Sequence, residues 1–170
     1  GVSRLHMPGH KGQPFLGCEA LDITEVQGAD ALFEAEGILR ESEEHAASLF
    51  GAARTLYSTE GSSLCIRAML SLALTCRPAG TDRLILAARN VHRSFVYAAA
   101  LLDLPVRWLW PQAGGSLCSC PVTGEELDQA LSSLPRPPAA VYVTSPDYLG
   151  LMQPIEELAQ VCHRHGTLLL

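Results

Sequence analysis

The sequence predicts an α/β fold of three layers, in which a mostly parallel sheet lies between helices on both of its faces. From about residue 51 onwards, short apolar runs alternate with amphipathic stretches of about three to four helical turns. Each strand is then joined to the next by a crossover helix, which makes the strands parallel. The composition agrees, because 48% of the 170 residues are hydrophobic and can fill a core.

The first 50 residues differ from the rest and predict an arm followed by an amphipathic helix. The arm contains Met7-Pro8-Gly9-His10-Lys11-Gly12, whose proline and glycines are typical of a loop. From Leu32 to Phe50, apolar residues recur at helical spacing and acidic residues lie on the other side. Gly51 is typical of a helix end. The predicted domains are therefore residues 1–50 and residues 51–170.

Residues 51–170 are predicted to alternate between strands and helices. Thr123, with Glu126 three residues later, predicts a capping box, and Pro154 suits the first turn of a helix. The last strand opens at Thr167 as an apolar run with no element after it, so we expect the chain to be part of a longer protein. The predicted strands are residues 54–58, 83–88, 106–110, 139–144 and one beginning at 167; the predicted helices are residues 62–77, 92–102, 123–134 and 154–165.

Charge and cysteine content narrow the classes of partner. The formal net charge is −6 and Lys and Arg do not cluster, so we expect neither a nucleic acid nor an anionic membrane surface as partner. No apolar run approaches the length of a membrane span, and residues 1–6 do not resemble a secretory signal. The six cysteines form no disulfide framework and are interpreted as reduced thiols, with Cys118 and Cys120 in an ordinary loop. We expect a cytoplasmic protein that acts on a small molecule.

The turn Thr59-Glu60-Gly61-Ser62-Ser63 is the first candidate site. It follows a predicted strand and begins a helix, whose first backbone N–H groups attract anions. Glycine allows close approach of a ligand and the two hydroxyls add donors, which suits a cofactor phosphate. The alternative is that Ser62 simply caps the helix.

Two further turns follow predicted strand ends at the same edge of the sheet. His92, within Arg89-Asn90-Val91-His92-Arg93-Ser94, is placed to stack on an aromatic cofactor ring or to move a proton. The alternative for His92 is a surface or capping residue. The loop Thr144–Gly150 offers hydroxyls, a carboxylate and a phenol, or it is a simple crossover loop.

Other chemistries are not predicted. His6 and His10 invite a metal site with Cys18, but the intervening Pro-Gly prevents presentation on a helix, so we predict no metal. The sequence contains no Walker loop, no Gly-x-Gly-x-x-Gly run and no Ser-His-Asp elbow. Lys11 is the only lysine, which limits any mechanism that needs an amine nucleophile.

Six blocks, taken in order, resemble the pyridoxal-phosphate-dependent ornithine/lysine/arginine decarboxylases, which have the aspartate-aminotransferase fold. The order and spacing of the blocks match throughout, so the resemblance covers nearly the whole chain. Met-Pro-Gly-His-Lys-Gly and Arg-Asn-x-His-x-Ser are the most specific. The blocks are His6–Gly12, Asp22–Thr24, Phe50–Ala52, Glu60–Ser63, Arg89–Ser94 and Thr144–Gly150.

The resemblance implies an activity and a role for the matched residues. The full protein would decarboxylate ornithine, lysine or arginine to a polyamine-type amine and CO2, and residues 51–170 would be the first half of its cofactor-binding large domain. It would act as a homodimer or higher homo-oligomer, with Met7–Gly12 near the site. The pyridoxal 5′-phosphate would be held by Gly61, Ser62 and Ser63 at its phosphate and by His92 stacked on its ring, with Ser94 and Ser145 lining the site.

The chain departs from the family pattern at two positions. Glu60 stands where the family usually has Asn, and Asp147 stands where Thr is commoner. In the family, the lysine that binds the cofactor and the carboxylate that faces its ring nitrogen lie beyond the strand that begins near Thr167, so this stretch alone is expected to be inactive. The fold also supports transamination and aldol-type cleavage, and a non-catalytic regulatory relative is a further alternative.

Overall fold

The computed structural model describes residues 3, 5, 7–23, 28–111 and 116–170. The chain forms two compact units, Gly1–Thr59 and Glu60–Leu170. His6 and Thr24, which belong to two of the blocks named above, lie outside the described residues.

The first unit contains a short 3₁₀ helix, Glu19–Leu21, and one α-helix, α1, at Ile38–Phe50. Helix α1 begins six residues later than Leu32, the predicted start, because Asp30 organises the residues before it. The Asp30 carboxylate accepts hydrogen bonds from the backbone N–H groups of Glu36, Ala31, Leu39 and Gly37, which together lower its pKa to about 2. The predicted end is confirmed, because Gly51 caps the helix in the left-handed conformation with φ 63°.

The second unit is an α/β structure in which helices and strands alternate. Its four strands are all parallel and lie in the order β2-β1-β3-β4. None of the helices in the described ranges has both the length and the apolar character needed to cross a bilayer. The elements are α2 (Gly61–Thr75), β1 (Asp82–Ala88), α3 (Arg93–Leu101), β2 (Val106–Leu109), α4 (Gly124–Ser132), β3 (Pro138–Tyr142), α5 (Ile155–His165) and β4 (Leu168–Leu169).

The strand predicted at residues 54–58 is wrong, since these described residues lie outside the sheet. Their polar groups are bound to α1 instead. The backbone N–H of Tyr57 donates to the buried Glu43 carboxylate over 3.0 Å, and the Tyr57 hydroxyl lies 2.8 Å from that of Ser42. Thr55, Leu56 and Tyr57 are residue types common in strands, but the N–H of Tyr57 bonds to the Glu43 side chain and not to a neighbouring strand.

Two apolar layers on opposite faces of the sheet confirm the predicted three-layer α/β/α architecture. On one face, side chains of α2 and α3 pack on β1 and β3 around Phe95, which is fully buried. The Phe95 ring lies 4.6 Å from the ring of Tyr142 and 6.1 Å from that of Trp108, measured between centroids. On the other face, α4 and α5 pack through Leu127 and Leu158, both fully buried.

Helix α4 carries the capping box that the sequence predicts. The Thr123 hydroxyl accepts from the N–H of Glu126 over 3.2 Å, and the Glu126 carboxylate accepts from the N–H of Thr123 over 2.9 Å. Two N–H groups that the helix leaves unpaired are thereby satisfied. The start of α4, and with it the register of Leu127 in the core, is fixed by this pair.

Replacing Thr123 tests the contribution of this cap. We expect Thr123→Ala to lower the free energy of unfolding by about 1 kcal/mol, the usual loss on removing such a hydroxyl. Thr75→Ala is the matched control, because the Thr75 hydroxyl donates to the carbonyl of Ser71 within its own helix and caps nothing. Urea unfolding of both variants would measure the difference, and equal destabilisation by the two substitutions would contradict the assignment.

Candidate functional site

The first turn of α2 is the candidate anion site, and it lies beside the start of α3, the helix that follows β1. The helix begins at Gly61, whose φ of 65° suits glycine, and the N-cap residue is Glu60. The side chain of Glu60 makes no capping hydrogen bond, so the N-cap residue does not compete with a ligand for the first N–H groups of the helix. Ser62 lies inside the first turn and is exposed, so the alternative that Ser62 caps the helix is wrong.

The starts of α2 and α3 meet through two hydroxyls. Ser63 Oγ lies 2.7 Å from Ser94 Oγ, and Ser94 is buried. His92 is the N-cap residue of α3, where its Nδ1 accepts from the N–H of Ser94 over 3.2 Å and lies 3.0 Å from Ser94 Oγ. His92 therefore caps α3, which was one of the alternatives that the sequence left open. Capping also orients the imidazole through Nδ1, and His92 is exposed.

A cavity of about 530 Å³ lies where the loops after three strands meet. The loop after β1 contributes Arg89–Arg93, including His92. The loop after β2 contributes Leu117 and Cys118, so part of the Cys118-Ser119-Cys120 stretch that the sequence suggested to be an ordinary loop lines the cavity. The loop after β3 contributes Thr144 and Pro146–Tyr148. Parallel strands bring these three loops to one edge of the sheet.

Ser145 has a structural contact in this arrangement. Its hydroxyl accepts from the backbone N–H of Gln153 over 3.0 Å, and it is not among the residues that line the cavity. The side chain of Gln153, itself buried, accepts from the N–H of Val122 and donates to the carbonyl of Cys120. Ser145 and Gln153 thus tie the loop after β3 to the segment that leads into α4.

Asp147 fixes the two loops that close the cavity. Its buried carboxylate accepts from the Ser119 hydroxyl in a short hydrogen bond and from the N–H groups of Leu149 and Leu151 over 2.8 and 2.9 Å. The Ser119 hydroxyl, followed by the backbone donors, lowers the pKa of Asp147 despite burial. Nothing in the sequence pairs Ser119 with Asp147, because the two residues lie 28 positions apart.

The cavity has a positive lining. Arg89 Nη2 donates to the carbonyl of Leu117 over 2.8 Å, and neither Arg89 nor Arg93 forms an ion pair with any residue that the structure describes. Both guanidinium groups favour an anionic ligand. The Arg89–Ser94 block predicts a site through its histidine, whereas the two arginines that flank His92 carry no such signal in the sequence and are found only from the structure.

These residues fit a phosphate-bearing aromatic cofactor. The start of α2, where the Glu60 side chain does not cap, and the serine hydroxyls suit a phosphate, and the adjoining cavity is lined by the His92 imidazole. Asn90 points to a missing partner, since its Oδ1 and Nδ2 are closed to solvent and unpaired within the described ranges. Among those same residues, no group of three His, Cys, Asp or Glu side chains is arranged to hold a metal ion.

The fold is shared with solved pyridoxal-phosphate enzymes and their relatives. A complex of SepCysS with the N-terminal domain of SepCysE has a TM-score of 0.62 at 12% identity, covering 82% of this chain and 36% of that one. Mouse CSAD in its apo form has a TM-score of 0.55 at 19% identity, covering 81% and 32%. Serine palmitoyltransferase K265A from S. paucimobilis, solved with bound PLP-myriocin, has a TM-score of 0.51 at 22% identity, covering 76% and 30%. At these identities the likeness shows the fold alone.

Sequence comparison identifies the family. Arginine decarboxylase of Halalkalibacterium halodurans is 29% identical over 94% of this chain and 34% of its own length. Arginine decarboxylase of Bacillus cereus is 30% identical over 95% of this chain and 36% of its own length. The chain therefore spans about a third of the curated relatives that it matches. Residues 5–170 match the major domain of the Orn/Lys/Arg decarboxylases, and the chain belongs to that family.

Proposed function

We propose that the protein carrying this chain is a pyridoxal-phosphate-dependent decarboxylase of a basic amino acid, which releases CO2 and a polyamine-type amine. The open, serine-bearing start of α2 beside the His92 cavity, in a chain of this family, is the observation that carries the proposal. Ornithine, lysine and arginine are the candidate substrates. The relatives named arginine decarboxylase favour arginine among them.

The chain's own residues would bind and orient the cofactor. The N–H groups of the first turn of α2 and the hydroxyls of Ser62 and Ser63 would hold its phosphate. His92, held through Nδ1, would lie against its ring, and Ser94 supports both His92 and Ser63. When bound, the cofactor supplies an electron sink for the charge left at the α-carbon as CO2 departs.

The surroundings of the reaction are also a proposal. The loops clamped by Asp147 and by Ser145 with Gln153 would wall the cavity and exclude water from it. Homo-oligomer formation, with a homodimer as the smallest case, would complete the site. A cytoplasmic location is supported by the six cysteines, all of which are unpaired thiols in the structure.

Cofactor affinity tests the phosphate cradle, by which we mean Gly61, Ser62 and Ser63 in the first turn of α2. We expect the double substitution Ser62→Ala/Ser63→Ala in the full-length protein to raise the Kd of pyridoxal 5′-phosphate about tenfold or more, because two donors to an anion are lost. Absorbance titration of the apoprotein measures the constant. Ser71→Ala, an exposed serine further along the same helix, is the control and should leave the Kd unchanged. A wild-type protein that binds no cofactor would contradict the proposed function itself.

The reaction is tested by product analysis. Full-length protein with pyridoxal 5′-phosphate is incubated separately with L-arginine, L-ornithine and L-lysine, and both CO2 and the amine are measured. We expect equal amounts of CO2 and amine from at least one of the three. Formation of a keto acid without CO2 would instead assign transamination, and no product from any of them would indicate a non-catalytic relative.

The pH dependence of stability tests the Asp147 clamp. Because the pKa of Asp147 is lowered in the folded protein, its stabilising effect is present at neutral pH and is lost only as the pH falls below about 4. We expect Asp147→Asn to lower the midpoint temperature of thermal unfolding at pH 7. The difference in this midpoint between the variant and wild type should become smaller below about pH 4. Asp103→Asn, an exposed carboxylate after α3, is the control. Equal stability of wild type and Asp147→Asn at pH 7 would exclude the clamp.

A further inference from the structure

Glu60 places a carboxylate next to the anion-binding start of α2, which is unfavourable for phosphate. A negative charge within a few ångströms of a phosphate repels it. A carboxylate at the N-cap is also attracted by the helix dipole, so it competes with a ligand for the same N–H groups. The structure does not show this competition, because the Glu60 side chain makes no capping hydrogen bond to α2.

Arg67 holds this carboxylate. Its Nη2 donates to Glu60 Oε2 over 3.2 Å, and its Nε donates to the carbonyl of Ser63 over 3.3 Å. The guanidinium group therefore lies along the first turn of α2 and binds both the N-cap side chain and the backbone of the cradle. The side chains of Arg67 and Glu60 are 40% and 64% exposed, so the pair contributes little to stability by itself.

We propose that Arg67 is a positioning residue that keeps the Glu60 carboxylate off the start of α2 and so keeps the phosphate cradle open. This inference rests on the proposed function, which places the cofactor phosphate there. Arg67 acts through Glu60 and makes the carboxylate compatible with an anion. Loss of Arg67 removes the cation that holds the Glu60 carboxylate, which the helix start then attracts and which repels the phosphate.

A double-mutant cycle on the full-length apoprotein separates this role from a direct one. The Kd of pyridoxal 5′-phosphate is measured by absorbance titration for wild type, Arg67→Met, Glu60→Gln and the double variant Glu60→Gln/Arg67→Met. We expect Arg67→Met to raise the Kd about tenfold at low salt, with a smaller rise at high salt, because one unscreened negative charge then faces the phosphate. We expect the double variant to return to within about twofold of wild type, since the competing charge is gone.

Two controls make the outcome specific. Pyridoxal, which lacks the phosphate, should bind wild type and Arg67→Met equally. Arg136→Met removes an exposed arginine that pairs with Asp82 at the opposite end of β1, and it should leave the Kd unchanged. An unchanged Kd of pyridoxal 5′-phosphate in Arg67→Met overturns the inference. The proposed function still stands in that case, provided that the wild-type protein binds the cofactor. A double variant as weak as Arg67→Met also overturns it, because Arg67 would then act on the phosphate or the fold directly.

Discussion

The parallel pairing of β1 with its neighbours β2 and β3 is the constraint on which the candidate site depends. Parallel strands end at one edge, so the segments that follow them must share that edge whatever their separation in the sequence. The loops after β1, β2 and β3 line one cavity for this reason. The two apolar layers that sandwich the sheet hold the strands in register and keep the loops at fixed positions.

Whether the first N–H groups of each helix at this edge are capped determines which of them a ligand can use. α3 is capped by His92 and α4 by Thr123, so their first N–H groups have protein partners. At α2 the N-cap residue is Glu60, whose side chain makes no such hydrogen bond. The difference has a physical cause in the Arg67 guanidinium, which binds the Glu60 carboxylate. The proposed binding of an anion at the start of α2 thus depends on where the Glu60 carboxylate is held. Membership of the family suggests that this anion is the phosphate of pyridoxal 5′-phosphate.

Much of the fold could be predicted from the sequence because its signals are local. Thr123 and Glu126 stand three residues apart, and their capping box is observed as predicted. Gly51 ends α1 in the left-handed conformation that its identity suggests. The predictions are wrong where a side chain further away in the sequence binds the backbone. Asp30 displaces the start of α1, and Glu43 takes the backbone N–H of Tyr57, which a strand at residues 54–58 would have used.

The site could be predicted only in part, for the same reason. The blocks that contain Ser63, His92 and Ser94 were found by their order, and the structure brings these three side chains together. The supports of the site join residues from different elements, such as Ser119 with Asp147, and carry no sequence signal of their own. Ser145 was expected at the site, and whether it contacts a cofactor stays a prediction, since its hydroxyl here accepts from Gln153.

A crystal structure of the full-length protein with pyridoxal 5′-phosphate is the most direct test of the central claim. The account predicts that the phosphate accepts hydrogen bonds from the first-turn N–H groups of α2 and from the serine hydroxyls, with the ring against His92. It also predicts that the Glu60 carboxylate stays on Arg67 in that complex. A cofactor phosphate bound elsewhere, with the start of α2 capped by Glu60, would contradict it.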